Sequence, residues 1–224
     1  MKVELLFPEI ANQFGDLGNM RYLARCLPQA EFCDTHLGEE PRFLREPVNL
    51  VYLGPMSEQG QEKVLEVLRP HRFALQKQLQ EGTPFLFTGN ALELLGERIE
   101  NEDGTRVEGL GLFPLTARRD MLHRHNSIFL GSFEGEPVMG YKSQFTMAYP
   151  GDKSLGLFLR ERGVGLNPRC PFEGVRVQNF FGTYLLGPLL INNPPFTRYL
   201  LRTMGAGHAA LAFGINAAHS AAIF

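Results

Sequence analysis

Over its first 95 residues the chain alternates short apolar runs with segments of helical period, and few folds accept that rhythm. Residues 3–7 form the first apolar run, and a polar turn follows at 12–15. From Asp16 onward, Leu17, Met20, Leu23, Ala24 and Leu27 recur at helical spacing, with Asp16 or Asn19 placed to cap the helix. Residues 31–35 and 48–53 read as the second and third strands, the latter ending in Gly54-Pro55. Between 59 and 80 lies a long helical stretch that turns Val64, Leu65, Leu68, Phe73, Leu75 and Leu79 inward. Pro70 must kink or break it, because proline lacks the N–H and clashes with the preceding turn. Residues 84–87 are a fourth strand, Thr88-Gly89 a tight turn, and 90–95 a short helix closed by Gly96. Strands alternating with helices in this way predict a parallel sheet with helices on both faces.

From residue 97 to 182 the pattern changes. This part is rich in Gly, with short β-like runs at 105–107, 127–130, 137–141, 155–158 and 175–177, and Glu102-Asp-Gly-Thr reads as a hairpin turn. It is expected to extend the sheet with antiparallel strands. A last helix starts near Pro195. Residues 203–224 hold no Asp, Glu, Lys or Arg, yet Ala and Gly dominate them beside His208 and His219, so they make a poor membrane span. Without a repeat or a long linker, residues 1–203 are expected to be one domain. Residues 204–224 are then an apolar tail suited to binding a partner subunit or a second copy.

Charge and cysteine usage narrow the function classes. With 22 Lys+Arg against 24 Asp+Glu and the arginines scattered, the chain offers no basic face for nucleic acid. A hydrophobic content of 44% supports a full core and excludes a disordered chain. Cys26, Cys33 and Cys170 form neither a CxxC pair nor an even disulfide framework, as in a cytoplasmic protein with reduced thiols. The first ten residues carry Glu4 and Glu9 and an uninterrupted apolar run of only Leu5–Phe7, so they read as a strand and not a signal peptide.

Candidate chemistry centres on Phe85-Leu-Phe-Thr-Gly-Asn-Ala-Leu. An apolar strand, a tight turn and a helix start have the layout of a nucleophile elbow, where helix-start amides stabilise an oxyanion. Its central residue, Gly89, has no side chain, and Thr88 and Asn90 flank it. The plain alternative is a turn that only packs a helix. His123 and His125 alternate as a metal pair would on a strand, but two ligands without Cys, Asp or Glu at fitting spacing make no site. Arg118, Arg119 and Arg124 around them read as a solvated basic rim. Cys26 reads as helix core, Cys33 as strand, and Cys170, in a Pro-flanked loop, as the most exposed thiol. Phe180, Phe181 and Tyr184 read as core strand. No cofactor or metal is expected.

Five segments occur in a telling order: Asn12-Gln-Phe-Gly-Asp-Leu-Gly-Asn-Met, Val51-Tyr-Leu-Gly-Pro, Gly82-Thr-Pro-Phe-Leu, Gly104-Thr-Arg-Val-Glu-Gly-Leu-Gly-Leu-Phe and Gly182-Thr-Tyr-Leu-Leu-Gly-Pro-Leu-Leu. Together they resemble the cobyric-acid-synthase-type class I glutamine amidotransferases, most closely the glutaminase subunits of lipid II isoglutaminyl synthase. The likeness runs through residues 1–203. It implies a flavodoxin-like α/β fold with a parallel core sheet and an antiparallel extension. It also implies glutamine hydrolysis, with ammonia passed to a Mur-ligase-like synthetase that amidates the glutamate of the peptidoglycan stem.

Departures from the family pattern shape the expectation. Gly89 stands where the family has its nucleophilic Cys, and Leu186 where it has its His base. The family's Gly-Phe-Glu-x-His becomes Gly140-Tyr-Lys-Ser-Gln, and Arg124 lies one place off the glutamine-binding Arg. Ala91 replaces the elbow's second Gly, and Glu93 is placed to repel a bound carboxylate. Thiolate attack needs both the sulfur and its imidazole. The resemblance therefore implies a degenerate site at Gly89 and Leu186, with Gly54, Thr88, Asn90, Arg124 and Gln144 as candidate pocket residues. The expected role is a non-catalytic subunit that binds or regulates a Mur-ligase-like synthetase, or forms a homo-oligomer. The alternatives are an active amidotransferase or other hydrolase with a non-standard nucleophile, and a small-molecule sensor.

Overall fold

The structure, a computed structural model, describes residues 1–213. β1 (Lys2–Leu6) leads through α1 (Gly18–Cys26) to β2 (Glu31–Thr35), and β3 (Leu50–Leu53) follows. A broken crossover, α2 (Glu58–Leu68) and α3 (Arg72–Gln80), leads to β4 (Phe85–Thr88). Next come β5 (Arg98–Glu100), β6 (Arg106–Glu108), β7 (Leu115–Arg119), β8 (His125–Phe133), β9 (Glu136–Gln144) and β10 (Thr146–Pro150). β11 (Gly156–Arg162), β12 (Phe172–Val177) and β13 (Phe180–Thr183) precede two helices, α4 (Leu189–Asn192) and α5 (Pro194–Thr203).

The main sheet has nine strands in the order β2-β1-β3-β4-β13-β12-β11-β8-β9. β1 to β4 and β13 pair in parallel, and β12, β11, β8 and β9 pair antiparallel beyond them. This is the expected parallel core with its antiparallel extension. Strands β3, β4 and β13 are buried along their whole length, as parallel strands covered on both faces must be. Their alternation sorts side chains into two cores. Val51, Leu53, Phe85, Phe87 and Phe180 pack under α2 and α3, while Leu50, Tyr52, Leu86 and Phe181 pack under α1, α4 and α5. An edge-to-face aromatic ladder, Phe43–Phe85–Phe87–Phe180, runs across the first core.

Several expectations need correction. β5, β6, β7 and β10 do not extend the main sheet; they form a separate four-stranded sheet in the order β10-β7-β5-β6. Main-chain bonds from Leu110 to Leu94, Gly111 to Gly96 and Leu112 to Leu95 fold this hairpin back onto the elbow helix. Gly109 permits the approach, since a β-carbon there would lie 2.2 Å from the Gly96 carbonyl oxygen. Phe73 is 77% exposed and not inward. Pro70 is accommodated in a 3₁₀ turn, Arg69–His71, whose tighter winding shifts the helical phase and turns Phe73 outward, while Leu75 and Leu79 face the core as expected.

Neither Asp16 nor Asn19 caps α1, whose start has no side-chain cap; both turn into the interior. Cys170 is buried, because Leu166, Asn167 and Phe172 fold its loop underneath, and burial pushes its thiol up. Arg119 leaves the solvated rim. It is buried and donates to Gln61 and Asn101. Of the tail, Met204 is buried, and Leu211 and Ala212 pack against the α1 side of the core. Tyr22 Oη donates to the Ala212 carbonyl, and the Ala212 amide donates to Cys26 Sγ, both at 3.3 Å. His219 and the remaining tail positions lie outside the described residues. Among those residues no helix is long and apolar enough to cross a membrane.

Candidate functional site

Because β3 and β4 are parallel neighbours, their C-terminal ends deliver Gly54-Pro55 and Gly89-Asn90 to one place. Gly89 has φ +59°, and the chain passes directly from β4 into a seven-residue 3₁₀ helix, Gly89–Leu95. That is a strand-to-helix turn of the elbow kind, in a left-handed backbone conformation that glycine adopts without penalty. Pro55 presses against it. A β-carbon on Gly89 would lie 2.4 Å from Pro55 Cβ and 3.2 Å from its Cα. Asn90 is clamped by the Met56 backbone, its Nδ2 donating to the Met56 carbonyl and its Oδ1 accepting from the Met56 amide. Gly54 is buried, and a β-carbon there would lie 2.4 Å from the Ala11 carbonyl oxygen. Thr88 is buried beneath the turn and donates to Asp16.

Over this turn lies a cavity of about 100 Å³. Gly89, Asn90, Arg124, Gln144 and Leu186 all line it, joined by Tyr184. The end of β9 contributes Gln144, and the segment after β13 contributes Tyr184 and Leu186, anchored by the Leu186 amide donating to the Tyr141 carbonyl at 2.9 Å. Arg124 lies with its guanidinium 4.4 Å from the Phe145 ring centre. Gln144 is buried; its Nε2 donates to the Thr146 carbonyl while its Oε1 has no partner. Thus five of the seven residues singled out in the sequence line one cavity, and Thr88 and Gly54 support its floor.

His123 and His125 do not converge. His123 is exposed and pairs with Asp120, whereas His125 Nε2 meets Ser127 Oγ. Among the described residues no three His, Cys, Asp or Glu side chains gather as a metal site would require.

Three buried polar groups behind the cavity escaped sequence reasoning. Asp16 is wholly buried and accepts from Thr88, Tyr52, Asn19 and the Gly187 amide, tying the first loop to the elbow and to Leu186. Burial nonetheless pushes its carboxyl above the ordinary range, outweighing those four donors. Glu93 does not face the cavity. It is enclosed in the core, where Tyr184 Oη donates to Oε1 at 2.9 Å and Gln61 Nε2 to Oε2 at 2.8 Å. Burial pushes this carboxyl up to about 7. Its setting in Ala91-Leu-Glu-Leu-Leu, an acid between core residues, is the one signal available in the sequence. Lys142 and Glu173 form a fully buried ion pair at 2.6 Å, with Lys142 Nζ also donating to the Gly165 carbonyl.

Comparison with known proteins gives this geometry a family. Residues 2–194 match the CobB/CobQ-like glutamine amidotransferase domain. The chain belongs to that family. It is 24% identical over 192 residues to the lipid II isoglutaminyl synthase (glutamine-hydrolyzing) subunit GatD of Staphylococcus aureus (strain N315), covering 85% of this chain and 78% of that protein. It is 23% identical over 212 residues to the subunit of the same name from Streptococcus pneumoniae (strain ATCC BAA-255 / R6), covering 91% and 80%. A crystal structure of a glutamine amidotransferase superposes with a TM-score of 0.57 at 15% identity, covering 90% of this chain and 98% of the other. The fold is therefore that of a class I glutamine amidotransferase. The cavity lies between the strand–turn–helix at Gly89 and the segment through Leu186.

Proposed function

We propose that the chain is a catalytically degenerate glutamine amidotransferase subunit that binds and regulates a Mur-ligase-like synthetase in cell-wall precursor amidation. The observation that carries this reading is Gly89. The elbow keeps its left-handed backbone turn but presents no atom that attacks a carbonyl, and Pro55 occupies the space of a β-carbon. Covalent amide hydrolysis in this family's manner needs a thiolate and an imidazole in contact. Among the described residues no Cys or His lines the cavity. Leu186, at the base position, is buried and apolar. Burial raises the thiols of Cys33 and Cys170, which suits structural cysteines better than nucleophiles. Ser143 lines the cavity, but its hydrogen-bond neighbour is the Arg124 guanidinium, which is no base.

The similarity to glutamine-hydrolyzing subunits of lipid II isoglutaminyl synthases supports the pathway. A two-part experiment tests the reading. Purified protein is assayed for glutamate release from glutamine, and is co-expressed with the Mur-ligase-like synthetase of its source for co-purification. No glutamate above the buffer blank, together with a stable complex, is expected. Turnover within about tenfold of an active glutaminase, abolished by a mutation in this cavity, overturns it.

A further inference from the structure

We infer that the outer face of β11, β8 and β9 docks the Mur-ligase-like synthetase through an apolar patch of that partner bordered by carboxylates; this deepens, and rests on, the subunit reading above. In an antiparallel sheet with one buried face, the other is ordinarily polar. The inner face here follows the rule, with Phe129, Phe133, Val138 and Phe158 in the core. The outer face does not. Register sets Ile128 opposite Tyr141, Leu130 opposite Met139, and Ser132 between Pro137 and Leu159, so six apolar side chains share it. Ile128 is 64% exposed, Leu159 60% and Tyr141 47%. Contiguous exposed apolar side chains of this kind mark an interaction site.

Charge identifies the occupant. No paired position on this face holds a carboxylate, and Glu161 lies in the bulge that shifts the register between Arg160 and Arg162. Arg162, opposite Leu130, is exposed. Arg124, just before β8, reaches the same face, its Nη1 lying 3.5 Å from Ser143 Oγ. The arginine ion pairs among the described residues include neither of them. A second copy seated here would bring the same arginines to a face that holds no acid at a paired position. A partner whose apolar surface carries carboxylates opposite Arg124 and Arg162 answers both the charge and the exposed side chains.

Size carries the surface on to the cavity. The nine residues of β8 span about 30 Å, and three strands about 4.8 Å apart are roughly 10–15 Å wide, which gives roughly 300–450 Å². A stable interface takes about 800 Å² from each partner, so this face is roughly half of one. Its Arg124 end leads to the rest. Arg124 and Ser143 line the cavity over Gly89 as well as this face, and Phe14, 53% exposed, lines that cavity too. The Leu186 amide, donating to the Tyr141 carbonyl, ties the cavity wall to β9. A partner docked on both covers the cavity mouth.

The test uses the full chain with the co-expressed Mur-ligase-like synthetase of its source. All three native cysteines are buried, so an introduced thiol reports on its own position. The thiol of Asn126→Cys, on the docking face, should react with a maleimide at least about tenfold more slowly in the complex than in the free chain. That of Glu66→Cys, exposed on α2, should react equally in both. Ile128→Asp and Arg162→Glu should each weaken the complex by about tenfold or more with melting temperatures unchanged, the Arg162 effect shrinking at high salt. Ile128→Thr keeps the β-branched shape, guards against a folding defect in the Asp variant, and should weaken the complex by about threefold. A parent complex in which the thiol at 126 stays reactive and these variants bind as the parent does overturns the inference and leaves the subunit reading standing. A chain that is dimeric alone and made monomeric by Ile128→Asp overturns it in favour of a second copy. No complex with the parent chain overturns the subunit reading and this surface with it.

Discussion

Restoring the two reacting groups, Gly89→Cys with Leu186→His, probes how deeply the elbow has changed. A β-carbon at 89 would sit 2.4 Å from Pro55 Cβ, over 1 Å inside ordinary contact. Pro55 cannot retreat easily, because its carbonyl accepts from the Gln13 amide at 3.0 Å and the preceding Gly54 is pressed on Ala11. Overpacking of this kind costs about 1–3 kcal/mol. Holding a non-glycine residue at φ +59° adds roughly 1–2 kcal/mol. Gly89→Cys alone should therefore lose about 2–5 kcal/mol, or roughly 4–20 °C in melting temperature for a domain of this size. Any relief must come from moving Pro55 or the elbow, and misplacement by about 1 Å costs a hundredfold in rate. We expect the double variant to give at most a trace of glutaminase activity. An electrophilic glutamine analogue should label Cys at position 89 slowly, as read by intact mass. A single variant that melts within about 1 °C of the parent, with rapid stoichiometric labelling, would refute the steric reasoning. It would also mark an enzyme whose pocket is intact apart from two lost groups.

Three further outcomes are expected. Glu93 titrates near 7 when folded against an ordinary 4.5, so the folded state binds the proton more tightly. Its contribution is complete below about pH 4.5 and is lost as pH rises through 7, up to about 3 kcal/mol. Glu93→Gln should flatten that slope in urea midpoints measured from pH 5 to 8, and an unchanged slope rules the assignment out. Lys142→Met strands the Glu173 carboxylate in the core and should cost about 3–5 kcal/mol by urea titration, much of it regained on adding Glu173→Leu. A single variant as stable as the parent contradicts the buried pair. Deleting residues 205–224 removes the packing of Leu211 and Ala212 and the bonds to Tyr22 and Cys26, and should lower stability by about 1–3 kcal/mol. An unaltered melting temperature with lost association would instead make the whole tail an interaction segment.

Local spacing determined a good part of this protein. The period-2 and period-3.6 runs place four parallel strands and their crossovers, and Pro70 marks the break between α2 and α3. The elbow at Gly89 is legible because strand, turn and helix start follow one another without interruption. What spacing carries is which face of an element is apolar. It does not carry which distant group meets a polar side chain there. Asp16 looks like a helix cap from its neighbours, and only the approach of Tyr52, Thr88 and Gly187 turns it into the buried anchor of the site. Arg119 looks like rim until α2 brings Gln61 to it, and Glu93 looks cavity-facing until Tyr184 closes over its carboxylate. The separate small sheet is hidden for the same reason. β5 and β6 have three residues each, too few to show a period, and β5 is completed by a parallel partner, β7. Whether Gly89 can accept a side chain is likewise decided by Pro55, 34 residues away in sequence and one strand away in space.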